Sequence, residues 1–480
     1  MNKSVNIAFW LFTTSVFSAL VLPTMFQDGI FMDGLIYASI ANNLSVGNGS
    51  YWYPEFTKTI APIFNEHPPF GFILQSWFID AFGSAFYIEK IYSGLTALFT
   101  AICIVLLWLQ SSWNSNVRKL AWLPVLLWII IPKGFWSYQN NMLENTMGLF
   151  SILAFLTLLV SVHSSKTKRL MSIIISSLLL LCSFLTKGFP GLYPLAFFGL
   201  YYIVFKKQYH FLHATINSIA FIVLTVGAFV ALFVFIPDAL ENLTAYFNSQ
   251  VMGSLSGKRI PGSRWFIVGV MFQEIIAPAL LALVVSAIAY KKKLILVFRN
   301  ARAKQNALFF LLVALSASVP IMVSPKQLSF YIVPSLPYFA LSIAFLVAPA
   351  VVKLLERLNP NTIMFNIFKY HAFVTIPAIA VYCFLTFGNF SRNAEMIRDV
   401  DILGKHLGAS STITIGRVNV QNWGLMGYLQ RRYLINLDRS GKMLELVLLE
   451  QSEKTPEGYE FIDLSLNRFK LVQRKKGNQS

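Results

Sequence analysis

From residue 27 to residue 69 the chain reads QDGIFMDGLIYASIANNLSVGNGSYWYPEFTKTIAPIFNEHPP. Asp28, Asp33, Glu55 and Glu66 fall within this stretch, together with Tyr37 and His67. An apolar run over residues 6–26 precedes it and another over 86–109 follows it, each long enough to cross ~30 Å of hydrocarbon. Carboxylates gathered between two such runs, in a chain whose net charge is +18, need a chemical reason. The stretch therefore sets two questions, which side of a membrane it occupies and what its acids do there.

The rest of the composition agrees with a membrane setting. Of 480 residues, 56% are hydrophobic and only 12% charged, and the mean hydropathy is +0.60. Hydropathy length predicts about eleven spans, near 6–26, 86–109, 119–136, 143–163, 170–186, 190–205, 214–236, 265–290, 306–323, 328–348 and 371–390. The stretch 69–83 is apolar but too short to cross, and is expected to lie in the outer interface. The first run is too long for the apolar part of a signal peptide and no small-x-small site follows it, so an uncleaved first helix is expected.

With this count the basic clusters share one face: Lys3, Arg118 with Lys119, Lys166 with Lys168 and Arg169, Lys206 with Lys207, Lys291 to Lys293, Arg302 with Lys304, and Lys353 with Arg357. The positive-inside bias makes that face cytoplasmic, with the amino terminus inside and the carboxyl terminus outside. The Lys and Arg excess is thus a matter of orientation and anionic membrane lipids, and no nucleic acid partner is implied. Cys103, Cys182 and Cys383 lie in apolar runs and read as small core residues.

After Phe390 the chain turns polar, with strand-like runs at 411–418, 433–437 and 459–463 and a helix-like run at 421–431. The predicted fold class is mainly α: a polytopic membrane protein with a transmembrane domain over 1–390, an outer first loop over 27–85, and a small C-terminal α/β outer domain over 391–480.

Lys133, Lys187, Lys258, Arg259, Arg264 and Lys326 fall on the outer side, where positive charge is disfavoured. Basic groups that persist there either snorkel to lipid phosphates or pair with a bound anion. Six on the face of the acidic loop favour a phosphate or pyrophosphate whose lipid tail lies between helices. The loop 237–264, with its Gly and Ser residues beside Lys258 and Arg259, reads as a mobile cover. Asp33 stands four residues before Tyr37, so a helix puts both on one face, although an Asp at a helix start also serves as an N-cap. His67-Pro68-Pro69 marks a rigid turn into a helix, and Glu144 opens a span from outside.

These pieces, in this order, resemble the lipid-phosphate-dependent sugar transferases of the GT-C architecture, in particular the branch of protein O-mannosyltransferases and the aminoarabinose transferase of lipid A. The resemblance covers most of residues 1–350. Asp33-x-x-x-Tyr37-Ala38 looks like the first-loop motif, in which the Asp is the proposed base. Glu66-His67-Pro68-Pro69 looks like the HPP or KPP stretch, and Glu144 stands where a second acidic position is expected. Leu185-Thr186-Lys187-Gly188 with Pro190-Gly191-Leu192 looks like a TKGP-like hairpin, and Lys326 with Tyr331 and Pro334 looks like a K-x4-Y-x2-P segment. One departure is Gly34, where the family usually has Glu after the Asp.

The resemblance implies an inverting glycosyltransferase of a bacterial inner membrane. It would move a sugar from a polyprenyl-phosphate donor to an outer-face acceptor that is a lipid, a glycan or a protein. Asp33 would be the general base. Tyr37, Glu66, His67, Glu144 and Tyr331 would orient sugar or acceptor. Lys187, Lys258, Arg259, Arg264 and Lys326 would hold the phosphate. No cofactor and no metal is expected. A transporter or lipid flippase is the alternative, and it would show ionisable residues near span centres and repeated broken helices. Here the ionisable residues gather at one face and no internal repeat is visible.

Overall fold

The computed structural model describes residues 3–255, 263–292 and 300–475. Among these, nine helices are long and apolar enough to cross a membrane: Lys3–Met25 (α1), Ile88–Ser111, Leu143–Ser161, Lys166–Lys187, Phe211–Phe235, Phe266–Lys291, Ala301–Val323, Ser329–Glu356 and Ile363–Leu385. Two of the eleven expected spans take other forms. The run at 119–136 is a pair, Ser115–Ile129 and Pro132–Gln139, bent by 76°. Pro132 opens the second piece and Ile131 before it is extended, as a residue preceding proline must be, so the helix breaks there.

The run at 190–205 is a shorter apolar helix, Phe189–Phe205. Its first half, Phe189–Ala196, is a 3-10 coil containing Pro190 and Pro194. A 3-10 coil rises about 2.0 Å per residue against 1.5 Å in an α-helix, so few residues cover much depth. The core of the bundle is aromatic, with Trp108 stacked on Phe345 at 4.1 Å and Phe345 on Phe310 at 5.6 Å. Hydroxyls join helices where packing is close, as at Ser151 and Ser183, 2.7 Å apart. Phe211–Phe235 and Ile363–Leu385 are mostly uncovered and present apolar side chains such as Phe235, Ile363 and Phe384 outward.

Two short helices follow α1 at one end of the bundle. Met32–Ser45 (α2) spans 14 residues and Phe70–Phe82 (α3) 13. At 1.5 Å per residue each reaches only ~20 Å, too little to cross. Ile88–Ser111 (α4) comes next.

The polar tail is a five-stranded sheet. Its strands are Thr412–Ile415 (β1), Asn436–Asp438 (β2), Leu446–Glu450 (β3), Tyr459–Ile462 (β4) and Phe469–Arg474 (β5), in the order β2-β1-β3-β5-β4. β2, β1 and β3 are parallel, while β3-β5-β4 is antiparallel. The Trp423–Tyr433 helix makes the crossover from β1 to β2. β3, β5 and the Ala394–Leu407 helix are additions to the elements expected from sequence. The run LVLLE of β3 has no alternation to mark it as a strand, because both faces are covered. Asp399 fastens the Ala394–Leu407 helix to the start of β5: fully buried, it accepts from the backbone N–H groups of Asn467 and Arg468 at 2.7 Å each.

The sheet unit is seated on α2. Ser39 Oγ donates to the Gly427 carbonyl at 3.1 Å, Gln430 Nε2 to Asn43 Oδ1 at 2.9 Å, and the Ile30 N–H to the Tyr428 hydroxyl at 3.1 Å. Arg432 pairs with both Asp28 and Asp401, and Arg431 with Glu89 at 3.0 Å. The same helix that carries Asp33 is thereby gripped from the side away from it.

Candidate functional site

α2 begins after Phe31, whose extended backbone ends the preceding loop and whose N–H donates to Asn140 Oδ1 at 2.9 Å. Phe31 therefore occupies the N-cap position, and Asp33 lies inside the first turn rather than capping it. One turn later the Tyr37 ring is buried. Its hydroxyl lies 3.1 Å from His67 Nε2 and accepts from Lys187 Nζ at 3.5 Å. His67 reaches this point because Pro68 and Pro69 turn the chain into α3, with Pro69 at its N-cap.

Gly34 has a steric cause. A Cβ at this position would stand 1.9 Å from the Asn140 carbonyl oxygen, so no side chain fits while α2 lies against residues 140–141. The second acid of the sequence reading, Glu144, is buried in the first turn of Leu143–Ser161. Glu144 Oε1 is 2.6 Å from Lys187 Nζ. Its Oε2 is buried without a hydrogen-bond partner among the described residues.

Lys187 closes the Lys166–Lys187 helix, and Gly188 then takes the left-handed region (φ 83°) with its α-carbon against the Tyr246 hydroxyl, where a Cβ would be 2.0 Å away. The turn thus places the Lys187 ammonium inside a ring of aromatics, 5.6 Å from the centre of Tyr37, 5.5 Å from Phe330 and 5.7 Å from Tyr331.

Charges converge on Asp33. Burial raises its carboxyl above the ordinary value of 3.8, the positive charges of Lys187 and Lys326 pull it back down, and exposed Glu66 pushes it up. Burial also raises the Tyr37 hydroxyl well above 10.0, helped by the negative charges of Asp33 and Glu144, so Tyr37 stays a neutral phenol. Asp33, Tyr37, Glu66, His67, Glu144, Lys187, Lys326 and Tyr331, scattered over 298 positions of sequence, come together at one end of the bundle.

Arg264 and Lys133, the remaining expected cations among the described residues, make other contacts. Arg264 is exposed, and its carbonyl accepts from Gln327 Nε2 at 3.0 Å, which ties it to the segment carrying Lys326. Lys133 lies over the Trp136 ring at 4.6 Å. Lys258 and Arg259 lie outside the described residues. The expected cover over 237–264 is helical in its first part: Pro237–Tyr246 is an α-helix opened by Pro237 with Asp238 in its first turn, and a π-turn follows over Phe247–Met252.

Phe330, Asn140 and Asn141 escaped the reading of the sequence. Asn141 has a left-handed backbone (φ 51°) and donates to Gln75 Oε1 at 2.8 Å, joining the loop before Glu144 to α3. The dipeptide Asn140-Asn141 directly after an apolar run was the available signal. Among the described residues no three His, Cys, Asp or Glu side chains converge as metal ligands do.

No protein-family model and no curated protein matches this sequence. Its fold does match solved structures. A crystal structure of ArnT from Cupriavidus metallidurans bound to undecaprenyl phosphate superimposes with a TM-score of 0.61 at 15% identity, over 96% of this chain and 97% of that one. The apo form of the same protein gives 0.58 at 16% identity, over 96% and 95%. The oligosaccharyltransferase of Archaeoglobus fulgidus in its apo form gives 0.53 at 11% identity, over 91% of this chain and 65% of that one. The chain has the GT-C fold, with an ArnT-like arrangement of helices and C-terminal sheet.

Proposed function

We propose that the protein is an integral membrane glycosyltransferase that takes a sugar from a polyprenyl-phosphate donor and attaches it to a lipid, glycan or protein acceptor on the outer face of a bacterial inner membrane. The observation that carries this reading is the half-buried Asp33 beside the positive charges of Lys187 and Lys326. Burial and cations at one carboxylate serve a reaction that needs a base and an anion site side by side. The match to ArnT, solved with undecaprenyl phosphate, supports a polyprenyl-phosphate partner.

In this reading Asp33 removes the proton of the acceptor hydroxyl. The acceptor oxygen attacks the anomeric carbon, the bond from that carbon to the phosphate oxygen breaks, and the pair of electrons leaves with polyprenyl phosphate. Lys326 and Lys187 stabilise the charge developing on that phosphate, with Arg264, Lys258 and Arg259 as further candidates. One base and a single displacement give inversion at the anomeric carbon. Tyr37, held neutral and oriented by His67, presents its hydroxyl to sugar or acceptor. Glu144 Oε2, buried and unpartnered, accepts from a second hydroxyl, and Glu66 and Tyr331 line the approach. The unit over 1–390 spans the membrane with its amino terminus in the cytoplasm, and the unit over 391–480 stands on the periplasmic side.

The test uses purified full-length protein with polyprenyl phosphate bearing a radiolabelled sugar, mixed with lipid, glycan and protein fractions of the envelope. The expected outcome is label in one acceptor class and release of polyprenyl phosphate. Absence of transfer to every class would reject the reading.

A further inference from the structure

On the side of α2 away from Asp33 lies a cavity of about 480 Å³, within the usual range for small-molecule sites. Leu35 and Asn42 line it from α2, and Val46 from the C-cap position just after it. The spacing puts these three on one helix face, roughly opposite Asp33 and Tyr37. Its other walls come from the loop before α2, the start of α4 and the Trp423–Tyr433 helix with the turn after it.

Five charged side chains line the cavity: Asp28, Glu89, Lys90, Arg431 and Arg432. Arg432 takes Asp28 and Arg431 takes Glu89. Lys90 is the cation left over. It is 1% exposed, and its ammonium donates to two backbone carbonyls, Thr24 at 2.9 Å and Gln27 at 2.6 Å. No carboxylate lies within ion-pair distance of it among the described residues. The two carboxylates that act on it from farther off, Glu89 and Asp28, are already paired with Arg431 and Arg432; a buried cation so placed is costly, and at a membrane boundary it points to an anion site. One donor in the same wall is unsatisfied: Arg431 Nε is buried with no hydrogen-bond partner among the described residues, on a side chain 6% exposed. Lys90 also lies in the first turn of the 24-residue α4, where the helix dipole favours negative charge.

The cavity lies beside the start of α4, a helix long and apolar enough to cross a membrane. α4 enters the hydrocarbon at Ile88, and just before it Phe86 and Tyr87 pack on each other at 5.2 Å and on Phe387 at 5.7 and 5.8 Å. Phe387 follows the end of Ile363–Leu385, so these rings form an aromatic belt where two spans meet the interface. Phe86 belongs to the cavity wall as well, with Ile30, Leu35, Val46 and Leu434. The unsatisfied Arg431 donor and the Lys90 ammonium at the back, with apolar side chains toward the belt, match a phosphate ester with hydrocarbon attached, and free phosphate would leave most of the volume empty.

We propose that this cavity binds the phosphate of an anionic glycerophospholipid, held by Lys90 and Arg431, with its chains passing Phe86 into the bilayer. The inference rests on α4 being a membrane span and does not depend on sugar-transfer chemistry.

The experiment measures binding of short-chain phosphatidylglycerol to the full chain purified in neutral detergent, together with the shift it causes in thermal unfolding. Short-chain phosphatidylcholine and inorganic phosphate are the comparison probes. Phosphatidylglycerol is expected to bind and to raise the unfolding temperature, and neither comparison probe to match it. Lys90→Met is expected to weaken phosphatidylglycerol at least tenfold and to abolish the shift. Val46→Glu, at an exposed position at the mouth, places a negative charge there without touching the buried ion pairs, and is expected to do the same while the lipid-free unfolding temperature stays put. Equal affinity for phosphatidylcholine would overturn the anion site. Equal affinity for inorganic phosphate would overturn the lipid. A phosphatidylglycerol shift unchanged in Val46→Glu would show that the lipid binds elsewhere and would overturn the assignment even where Lys90→Met fails to fold.

Discussion

The ammonium of Lys187 and the carboxylate of Glu144 meet at 2.6 Å with side chains only 6% and 1% exposed. Two buried charges joined in this way are coupled, since removing one leaves the other without compensation. Lys187→Met or Glu144→Gln alone is expected to cost about 3–5 kcal/mol of stability. The double variant is expected to lose less than the sum of the two. Unfolding of the four proteins in detergent, read as a double-mutant cycle, checks this, and strict additivity would mean the pair is not coupled.

Asp33→Asn keeps the size of the side chain and removes its basicity. Turnover is expected to fall by roughly 10²–10⁴, the range for a lost general base. Polyprenyl-phosphate affinity is expected to stay within about threefold, because the cations that would hold the phosphate are untouched. Normal turnover in this variant would move the base elsewhere.

The pH profile carries a sign that two substitutions reverse. A base works ionised, so activity is lost as pH falls through the Asp33 value, which burial sets above 3.8. Lys326 lowers that value and Glu66 raises it. Lys326→Gln is therefore expected to move the acid limb of kcat/KM to higher pH, and Glu66→Gln to move it to lower pH. Shifts in the same direction, or none, would separate the limb from Asp33.

Gly34→Ala tests the seat of α2. The added methyl would lie 1.9 Å from the Asn140 carbonyl oxygen, which is backbone and cannot swing aside. A loss of about 1–3 kcal/mol is expected from overpacking. Turnover is expected to drop with it, because Asp33 is the adjacent residue. Gly34→Glu, which restores the acid common in the resembling family, is expected to be worse than Ala. Full activity in Gly34→Glu would show that α2 can move away from residues 140–141.

Much of this arrangement was legible in the sequence because it is local. Asp33 and Tyr37 share a face through helix period alone, and Lys187 was marked by sitting at a span end where cations are disfavoured. Glu144 was found by its place at the start of a span, yet nothing local showed that its partner would be Lys187. The span near 119–136 hid its bend because the apolar run continues smoothly through Pro132. The seat of the sheet unit on α2 left no trace, since Arg431 and Arg432 look like ordinary last-turn cations of a helix until Glu89 and Asp28 are beside them. Side chains that meet across hundreds of residues leave no periodic signal to read.

The pairing of Arg432 with Asp28 spans 404 residues, and it also orders events in time. α2 leaves the ribosome early, whereas the Trp423–Tyr433 helix that grips it is made late. At about 5–20 residues per second, roughly 20–80 s separate the two. During that interval the chain can insert its helices, but the loop in front of Asp33 has only part of its anchors, those to Asn140 and Lys90. If the proposed transfer reaction is this protein's, a chain that stops before Arg432 lacks the cation paired with Asp28, and Asp33 is expected to be less firmly placed in it. Such a copy is expected to insert its helices and yet to transfer sugar more slowly than the full chain, which would tie the proposed chemistry to residues made late.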